Sequence, residues 1–128
     1  MKYLLDTHSL IWFLGGDPQF SAHARQLIED DESELFVSVA SLWEMAIKFS
    51  IGKLTLEKPF EQMFPEQLER NGIDILGIGV AHLKLLCALP FHHRDPFDRL
   101  IIAQALAEAM PIIGMDSVFG EYGVAMEW

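Results

Sequence analysis

The amino-acid sequence predicts an α/β domain built on a mainly parallel β-sheet. Short apolar runs typical of buried strands alternate with longer segments of helical periodicity, the order in which parallel strands are joined by crossover helices. One helical segment is apolar on nearly all sides, as expected of a helix at the centre of a domain. The 128 residues, 51% of them hydrophobic, predict a single domain over residues 1–128.

The N-terminal half of the chain contains two predicted strands and three predicted helices. They lie at Lys2–Leu5, around Leu10–Leu14, at Ser21–Asp30, at Leu35–Val37, and from Ser38 or Ser41 to about Ser50. Gly15–Pro18 combines two glycines, an aspartate and a proline, so it stops the first helix. Ser21 is a favourable N-cap for the second.

The C-terminal half contains three predicted helices and three predicted strands. The helices are Pro59–Arg70, Val80–Leu89 and about Asp95–Ala109, and the strands are Ile73–Leu76, Pro111–Met115 and Val124–Met126. Asp95 as N-cap, Pro96 in the first turn and Asp98 three residues after the cap are strong signals for a helix start. This last helix is the one that is apolar nearly all round, so we expect it to be the central buried helix.

The charge balance argues against a simple electrostatic binder of nucleic acid. Nine Lys and Arg residues face nineteen Asp and Glu residues, which gives a formal charge of −10. Proteins that bind nucleic acid through charge alone usually present a basic face. A nucleic-acid substrate would therefore need another group to hold its phosphates, and bound divalent cations are the obvious candidate. The acidic surface also suits a basic partner.

The sequence predicts a cytoplasmic protein without a membrane segment. An aspartate at position 6 interrupts the apolar start, unlike a signal peptide. No apolar run approaches the roughly 18–20 residues that a membrane span needs. Cys87 is the only cysteine, which excludes an intrachain disulfide and fits a reducing compartment.

Four acidic residues stand where strands end or helices begin: Asp6, Glu44, Asp98 and Asp116. Each has a purely structural alternative. Asp6 can cap the following helix, Ser41-x-x-Glu44 has the form of a capping box, and Asp116 can start a turn. For Glu44 taken alone, the capping box is the favoured interpretation.

Convergence of these acids is not explained by capping. In a doubly wound sheet, the segments that follow the first, second and fourth strands meet at one edge. Because like charges repel by about 4 kcal/mol at 4 Å and an effective dielectric near 20, four carboxylates stay ionised together only around a cation. Oxygen ligands select Mg²⁺ (or Mn²⁺), ions that assist displacement at phosphorus.

The motifs that contain these acids resemble those of PIN-domain nucleases, most closely the subgroup of VapC-like toxins. The resemblance rests on the order and spacing of Leu4–His8, Ser38–Lys48, Lys53–Leu54, His93–Leu100, Gly114–Asp116 and Tyr122–Val124. It implies a Rossmann-like α/β/α sandwich with a parallel sheet of about five strands. It also implies metal-dependent cleavage of RNA phosphodiesters, by a toxin that forms homodimers and is neutralised by a cognate antitoxin.

The resemblance assigns roles to individual residues. It places the family's catalytic, metal-binding acids at Asp6, Glu44, Asp98 and Asp116. Asp95 belongs to the subgroup's motif, but the acid followed by x-Leu-Ile-x-Ala matches Asp98, so Asp95 is interpreted as a helix cap or a residue behind the ligands. Many relatives carry Thr before the fourth acid where this chain has Met115, which leaves Ser117 as a substitute hydroxyl.

Several neighbours of the acids are further candidates. Arg94 and Arg99 can contact substrate phosphate or, with equal weight, pair with a neighbouring acid. The hydroxyls of Thr7 and Ser41 can reach a metal-bound water, although helix capping is favoured.

The other conspicuous side chains have more ordinary interpretations. His8, His92 and His93 lack the cysteines or spaced histidines of a zinc site and are interpreted as surface or capping residues. Trp12 and Trp43 can stack on bases, but core or dimer interface is favoured. The Trp12–Phe13 region is the predicted apolar patch for a homodimer or antitoxin.

Three rival functions fit the sequence less well. A haloacid-dehalogenase-type phosphatase needs a second Asp two residues after the first, where this chain has His8. A response-regulator receiver needs paired acids before its first helix and a lysine after its last strand, and this chain has neither. A catalytically inert PIN-fold binding module usually lacks one of the four acids, and here all four are present, so the nuclease is preferred.

Overall fold

Five parallel strands form one sheet in the computed structural model, which describes residues 1–128. They are β1 (Lys2–Leu5), β2 (Glu34–Ser38), β3 (Ile73–Leu76), β4 (Ile112–Ile113) and β5 (Met126–Glu127). Their order across the sheet is β3-β2-β1-β4-β5, and each neighbouring pair is parallel. The predicted α/β fold with a five-stranded parallel sheet is therefore confirmed.

Eight helices connect and flank the strands. They are α1 (Thr7–Gly15), α2 (Ala22–Glu29), α3 (Val39–Ser50), α4 (Phe60–Met63), α5 (Glu66–Arg70), α6 (Val80–Ala88), α7 (Pro96–Glu108) and α8 (Ser117–Gly120). α1 ends as predicted, at Gly16, whose φ of 64° lies in the left-handed region that glycine adopts without strain. No helix has both the length and the apolar character required to cross a membrane.

Hydrophobic residues fill two cores, one on each face of the sheet. Leu5 and Leu4 are neighbours on β1 whose side chains point to opposite faces, and each belongs to a different core. The Leu5 core contains residues of α1 to α5, whereas the Leu4 core contains residues of α7 and α8. Residues 99–105 of α7 are all buried, which confirms its prediction as the central helix. The domain is thus an α/β/α sandwich.

The predicted helix Pro59–Arg70 is wrong as a single element, because the chain forms α4 and α5 on either side of Pro65. Proline has no backbone N–H to donate, and it forces the preceding residue out of helical geometry. Phe64 is accordingly extended, with φ −119° and ψ 135°.

The last elements also differ from the prediction in detail. β4 is confined to two residues instead of Pro111–Met115, and β5 lies slightly later than Val124–Met126. The segment predicted as a turn after Asp116 is the short helix α8, which Asp116 caps.

Candidate metal centre

The four predicted acids lie at the carboxyl edge of the sheet. Asp6 directly follows β1, Glu44 is in the second turn of α3 after β2, and Asp116 is three residues beyond β4. Asp98 is in the first turn of α7. Because β2, β1 and β4 are adjacent and parallel, the segments that follow them leave the sheet at the same edge.

The ionisation of Asp98 responds to the other acids at this edge of the sheet. Partial burial, followed by repulsion from Asp95, Glu44, Asp116 and Asp6, raises the pKa of Asp98 from 3.8 to about 7. All four of those carboxylates therefore act on the same small region. We refer to these five residues as the acidic cluster.

Asp6 uses its two carboxylate oxygens differently. Oδ1 accepts a hydrogen bond of 2.8 Å from the backbone N–H of Ser9, so Asp6 does cap α1. Oδ2 lies against Gly114, where an added Cβ would stand only 2.5 Å away. Burial is the main cause that raises the pKa of Asp6, and repulsion from Asp116 adds to it. Asp6 is therefore both the N-cap of α1 and a member of the acidic cluster.

Glu44 is only 5% exposed, and each of its carboxylate oxygens accepts a hydrogen bond from another side chain. Its Oε1 accepts a 3.0 Å hydrogen bond from the hydroxyl of Thr7, which is also hydrogen-bonded to Ser41 Oγ at 2.9 Å. Its Oε2 accepts a 2.7 Å hydrogen bond from Nζ of Lys48. These contacts orient the Glu44 carboxylate without the help of any ligand.

The capping-box interpretation of Ser41 and Glu44 is wrong. α3 begins one turn earlier, at Val39, and its cap is Ser38, whose hydroxyl accepts from the N–H of Ala40 at 3.0 Å. Ser41 is therefore inside the helix, where its hydroxyl supports Thr7 rather than a helix end. The sequence analysis missed Lys48 as a partner of Glu44, although an acid four residues before a lysine is a recognisable pairing signal on a helix.

Asp95 and Asp116 also have one oxygen engaged in a helix cap. Oδ1 of Asp95 accepts from the N–H groups of Phe97 at 2.9 Å and Asp98 at 3.0 Å, which is the predicted cap of α7. Oδ1 of Asp116 accepts from Val118 N at 3.1 Å. In both residues, as in Asp6, Oδ2 accepts no hydrogen bond from the protein. Each can offer that oxygen to another partner.

The two arginines near the start of α7 behave differently. Arg99 is 6% exposed and donates through Nη1 to the carbonyl of Pro90 at 2.8 Å and to the Tyr122 oxygen at 3.2 Å. No acid lies within ion-pair distance of it, so the salt-bridge alternative is wrong for Arg99. Its guanidinium supports the chain around Tyr122, and its contact with a substrate phosphate stays a prediction. Arg94 is exposed and unpaired, so its phosphate contact stays a prediction.

An open cleft lies beside Asp6, lined by His8, Trp12, Met115, Asp116 and Ser117. Ser117 is exposed there, so its role as a substitute hydroxyl stays a prediction. Met115 is 56% exposed and presents an apolar edge to the same cleft.

The apolar patch at Trp12 and Phe13 stays a prediction, because both side chains pack against the core but are only partly buried. Four of the exposed large apolar residues lie on α3 and just beyond its end, at four-residue spacing: Val39, Trp43, Ile47 and Ile51. We refer to them as the α3 apolar surface. Trp43 is 58% exposed and packs edge-on against Phe97 at 5.1 Å, so it is not a core residue.

The donor atoms of the acidic cluster fit a hard divalent cation. They are all carboxylate oxygens, the ligands that Mg²⁺ and Mn²⁺ prefer. No three Asp, Glu, His or Cys side chains already have the spacing of a closed metal-binding group. Ligation would therefore require side-chain rotation, which the exposed Asp116 can make most easily.

A parallel five-stranded sandwich with an acidic cluster at its carboxyl edge is the arrangement that the motif resemblance implied. The PIN domain family matches residues 3–125 of the chain. This protein therefore belongs to the PIN domain family.

Ribonuclease VapC16 of Mycobacterium tuberculosis (strain ATCC 25618 / H37Rv) is similar in sequence. It is 32% identical over 69 residues, which are 51% of this chain and 49% of that protein. The matched region thus spans about half the length of this curated relative.

Solved structures share the fold over nearly the whole chain. A chain in the crystal structure of VapBC2 from Rickettsia felis, bound to a DNA fragment from its promoter, superposes with a TM-score of 0.75 at 16% identity, covering 99% of this chain and 98% of that one. The DNA-bound VapBC of Salmonella typhimurium gives 0.72 at 15% identity, covering 99% and 97%. At these identities the likeness establishes the fold alone.

Proposed function

We propose that this protein is a metal-dependent endoribonuclease that hydrolyses RNA phosphodiester bonds, and that it is the toxin of a toxin–antitoxin pair. The observation that carries the proposal is the placement of Asp6, Glu44, Asp98 and Asp116 at the carboxyl edge of the parallel sheet. The similarity to a ribonuclease, VapC16, supports the same reaction.

In this proposal Asp6, Glu44, Asp98 and Asp116 hold Mg²⁺ (or Mn²⁺). A bound cation supplies Lewis-acid polarisation of the phosphate and neutralises charge that develops during in-line displacement. The protein's part is to present the oxygens. Glu44 is held by Thr7 and Lys48, and Asp6 by the N–H of Ser9, so two of the four carboxylates are already oriented.

The charge of the chain supports a role for the cation in substrate binding as well. With a formal charge of −10, the protein repels a polyanion, and a divalent cation at the acidic cluster reduces that repulsion locally, where the substrate binds. Arg94 is exposed four residues before Asp98 and is the basic side chain we assign to a substrate phosphate.

The toxin role is supported by solved complexes of similar fold and by an exposed apolar surface on this chain. Solved structures of similar fold include the VapBC complexes from Rickettsia felis and Salmonella typhimurium, and a third, from Haemophilus influenzae, has a TM-score of 0.69. The α3 apolar surface offers exposed hydrophobic side chains for a cognate antitoxin or a second copy in a homodimer. An acidic toxin suits an antitoxin with a basic segment.

Cleavage of a mixed RNA pool tests the proposal. We expect cleavage with Mg²⁺ or Mn²⁺, none in EDTA, and a strong loss in Asp98→Asn. Asp31→Asn is the matched control, because Asp31 is exposed and precedes β2 at the opposite edge of the sheet. RNA cleavage that persists in EDTA would contradict the metal. Metal binding without cleavage would favour a catalytically inert PIN-fold binding module.

A further inference from the structure

Four nitrogen atoms surround the phenolic oxygen of Tyr122, three from the segment that precedes α7 and one from Arg99 within α7. The backbone N–H groups of His92 and His93 lie 3.0 and 3.1 Å from it, and Nη1 of Arg99 lies 3.2 Å from it. The fourth is the ring nitrogen Nδ1 of His93, at 2.9 Å. Tyr122 itself is buried, at 8% exposure.

The donors and acceptors around Tyr122 determine the tautomer of the His93 ring. Backbone N–H and guanidinium groups are donors only. Three of the four nitrogens therefore cannot accept the proton of the Tyr122 hydroxyl. Only Nδ1 of His93 can accept it, and it accepts only when it carries no proton. The neutral ring must then carry its proton on the other nitrogen, Nε2.

That Nε2 atom points at Asp98. It is buried and has no hydrogen-bond partner, and it lies 3.5 Å from Oδ2 of Asp98. A buried N–H that stays unpaired costs about 1–3 kcal/mol. Asp98 Oδ2 is the acceptor that faces it, and a shift of a few tenths of an ångström brings the pair to hydrogen-bond distance.

We propose that His93 is a positioning residue, which donates through Nε2–H to Oδ2 of Asp98 and so turns the Asp98 carboxylate toward the acidic cluster. Tyr122 acts one step behind it by fixing the tautomer that makes Nε2 a donor. Arg99 holds the same segment in place through the Pro90 carbonyl and by stacking on Phe91, with its guanidinium 4.0 Å from the ring centre.

Arg99 and Tyr122 belong to the sequence motifs but are not proposed metal ligands. These contacts assign both residues a role in positioning His93. The hydrogen bond to Asp98 is independent of any ion. Its consequence for metal binding rests on the proposed function, because it applies only if Asp98 is a ligand. Partners behind a metal ligand typically change metal affinity by roughly 10–100-fold when they are removed.

NMR of the metal-free protein at pH 8, with ¹⁵N-labelled histidine, tests the tautomer directly. We expect His93 to show a protonated Nε2 and an unprotonated Nδ1, and the Nε2 signal to shift in Asp98→Asn. In Tyr122→Phe the preference for that tautomer should be lost. A proton on Nδ1, or an Nε2 signal that ignores Asp98→Asn, overturns the proposal.

Calorimetric titration with Mn²⁺ tests the consequence. His93→Ala should bind Mn²⁺ about 10-fold or more weakly, whereas His93→Gln, whose amide retains a donor, should recover part of the loss. His23→Ala is the matched control, since the His23 side chain is exposed and pairs with Glu127, outside the acidic cluster. Equal Mn²⁺ affinity in wild type and His93→Ala overturns the positioning role. If the wild-type protein binds no Mn²⁺, the proposed function is overturned instead. The NMR experiment then tests the hydrogen bond from His93 to Asp98 by itself.

Discussion

Nζ of Lys48 lies 2.7 Å from Oε2 of Glu44, one turn earlier on α3. The hydrogen bond to Glu44 is the largest of the effects that raise the pKa of Lys48, and attraction to Asp95 and Asp98 adds to it. The chain therefore places a positive charge of its own at the acidic cluster. Under the proposed function, this ammonium group and a metal ion attract the same carboxylate.

Substitution Lys48→Met tests that competition. The free energy of unfolding without metal should fall by about 1 kcal/mol, between the values for exposed and buried ion pairs, because Glu44 is buried and Lys48 is 43% exposed. Mn²⁺ affinity should rise, since the competing charge is gone. Urea unfolding and calorimetry measure the two effects. Lys53→Met, at an exposed and unpaired lysine, is the control. Unchanged Mn²⁺ affinity in Lys48→Met would show that the ammonium group does not compete.

Asp95→Ala separates the cap from the ligand. The variant should lose about 0.5–2 kcal/mol of stability, since Asp95 accepts two N–H groups at the start of α7. RNA cleavage should fall less than in Asp98→Ala. Asp95→Asn keeps a good cap and should restore most of the stability. If cleavage falls more in Asp95→Ala than in Asp98→Ala, the roles of the two acids are reversed.

The metal-free protein should become less stable as the pH rises from about 4 to 7. Asp98 keeps its proton up to about pH 7 in the folded protein, whereas its ordinary pKa is 3.8. Between these values the folded state binds more protons than the unfolded chain, so the free energy of unfolding falls with rising pH. We expect about 2–4 kcal/mol from this group, since a pKa unit corresponds to roughly 1.4 kcal/mol.

Thermal melting in EDTA at pH 4.5 and pH 7.5 measures this dependence. Asp98→Asn should show a much smaller difference between the two pH values, and Asp31→Asn should behave like wild type. An equal pH dependence in wild type and Asp98→Asn would assign the effect to other groups.

The sequence predicted the elements that have strong local signals. The Asp95-Pro96 start and the apolar periodicity of α7 located that helix almost to the residue. The split at Pro65 was missed because helical periodicity continues on both sides of the proline. A proline at that position interrupts the helix through its missing N–H, an effect that a periodicity count does not register.

The acids of the candidate site were predictable because strand order in a doubly wound sheet brings strand ends together. The contacts between them were not. Thr7 and Glu44 are 37 positions apart, and Tyr122 and His93 are 29 apart, yet both pairs are hydrogen-bonded. Such pairings depend on how helices pack across the sheet, which no local pattern encodes. Arg99 was misassigned for the same reason, since its partners are a carbonyl and a phenol.

Asp6→Asn is the most direct test of the metal centre. The substitution keeps the size of the side chain and, since Asn is itself a good N-cap, the hydrogen bond to Ser9 N. It removes one negative charge from a buried position, where burial and Asp116 already disfavour ionisation. The variant should therefore melt at the same temperature as wild type, or higher, without metal. With Mn²⁺ at about 100 times its Kd, wild type should gain about 2.7 kcal/mol and the variant little.

A matched control and a cleavage assay complete the test of Asp6. Asp17→Asn makes the same substitution at an aspartate that accepts an N–H, that of Gln19 at 2.8 Å, outside the acidic cluster. It should respond to Mn²⁺ as wild type does. RNA cleavage should drop sharply in Asp6→Asn alone. If Asp6 were only a helix cap, both variants would gain the same stability from Mn²⁺ and cleave RNA at the wild-type rate. That result would remove Asp6 from the metal centre and take away the main support for a metal-dependent ribonuclease.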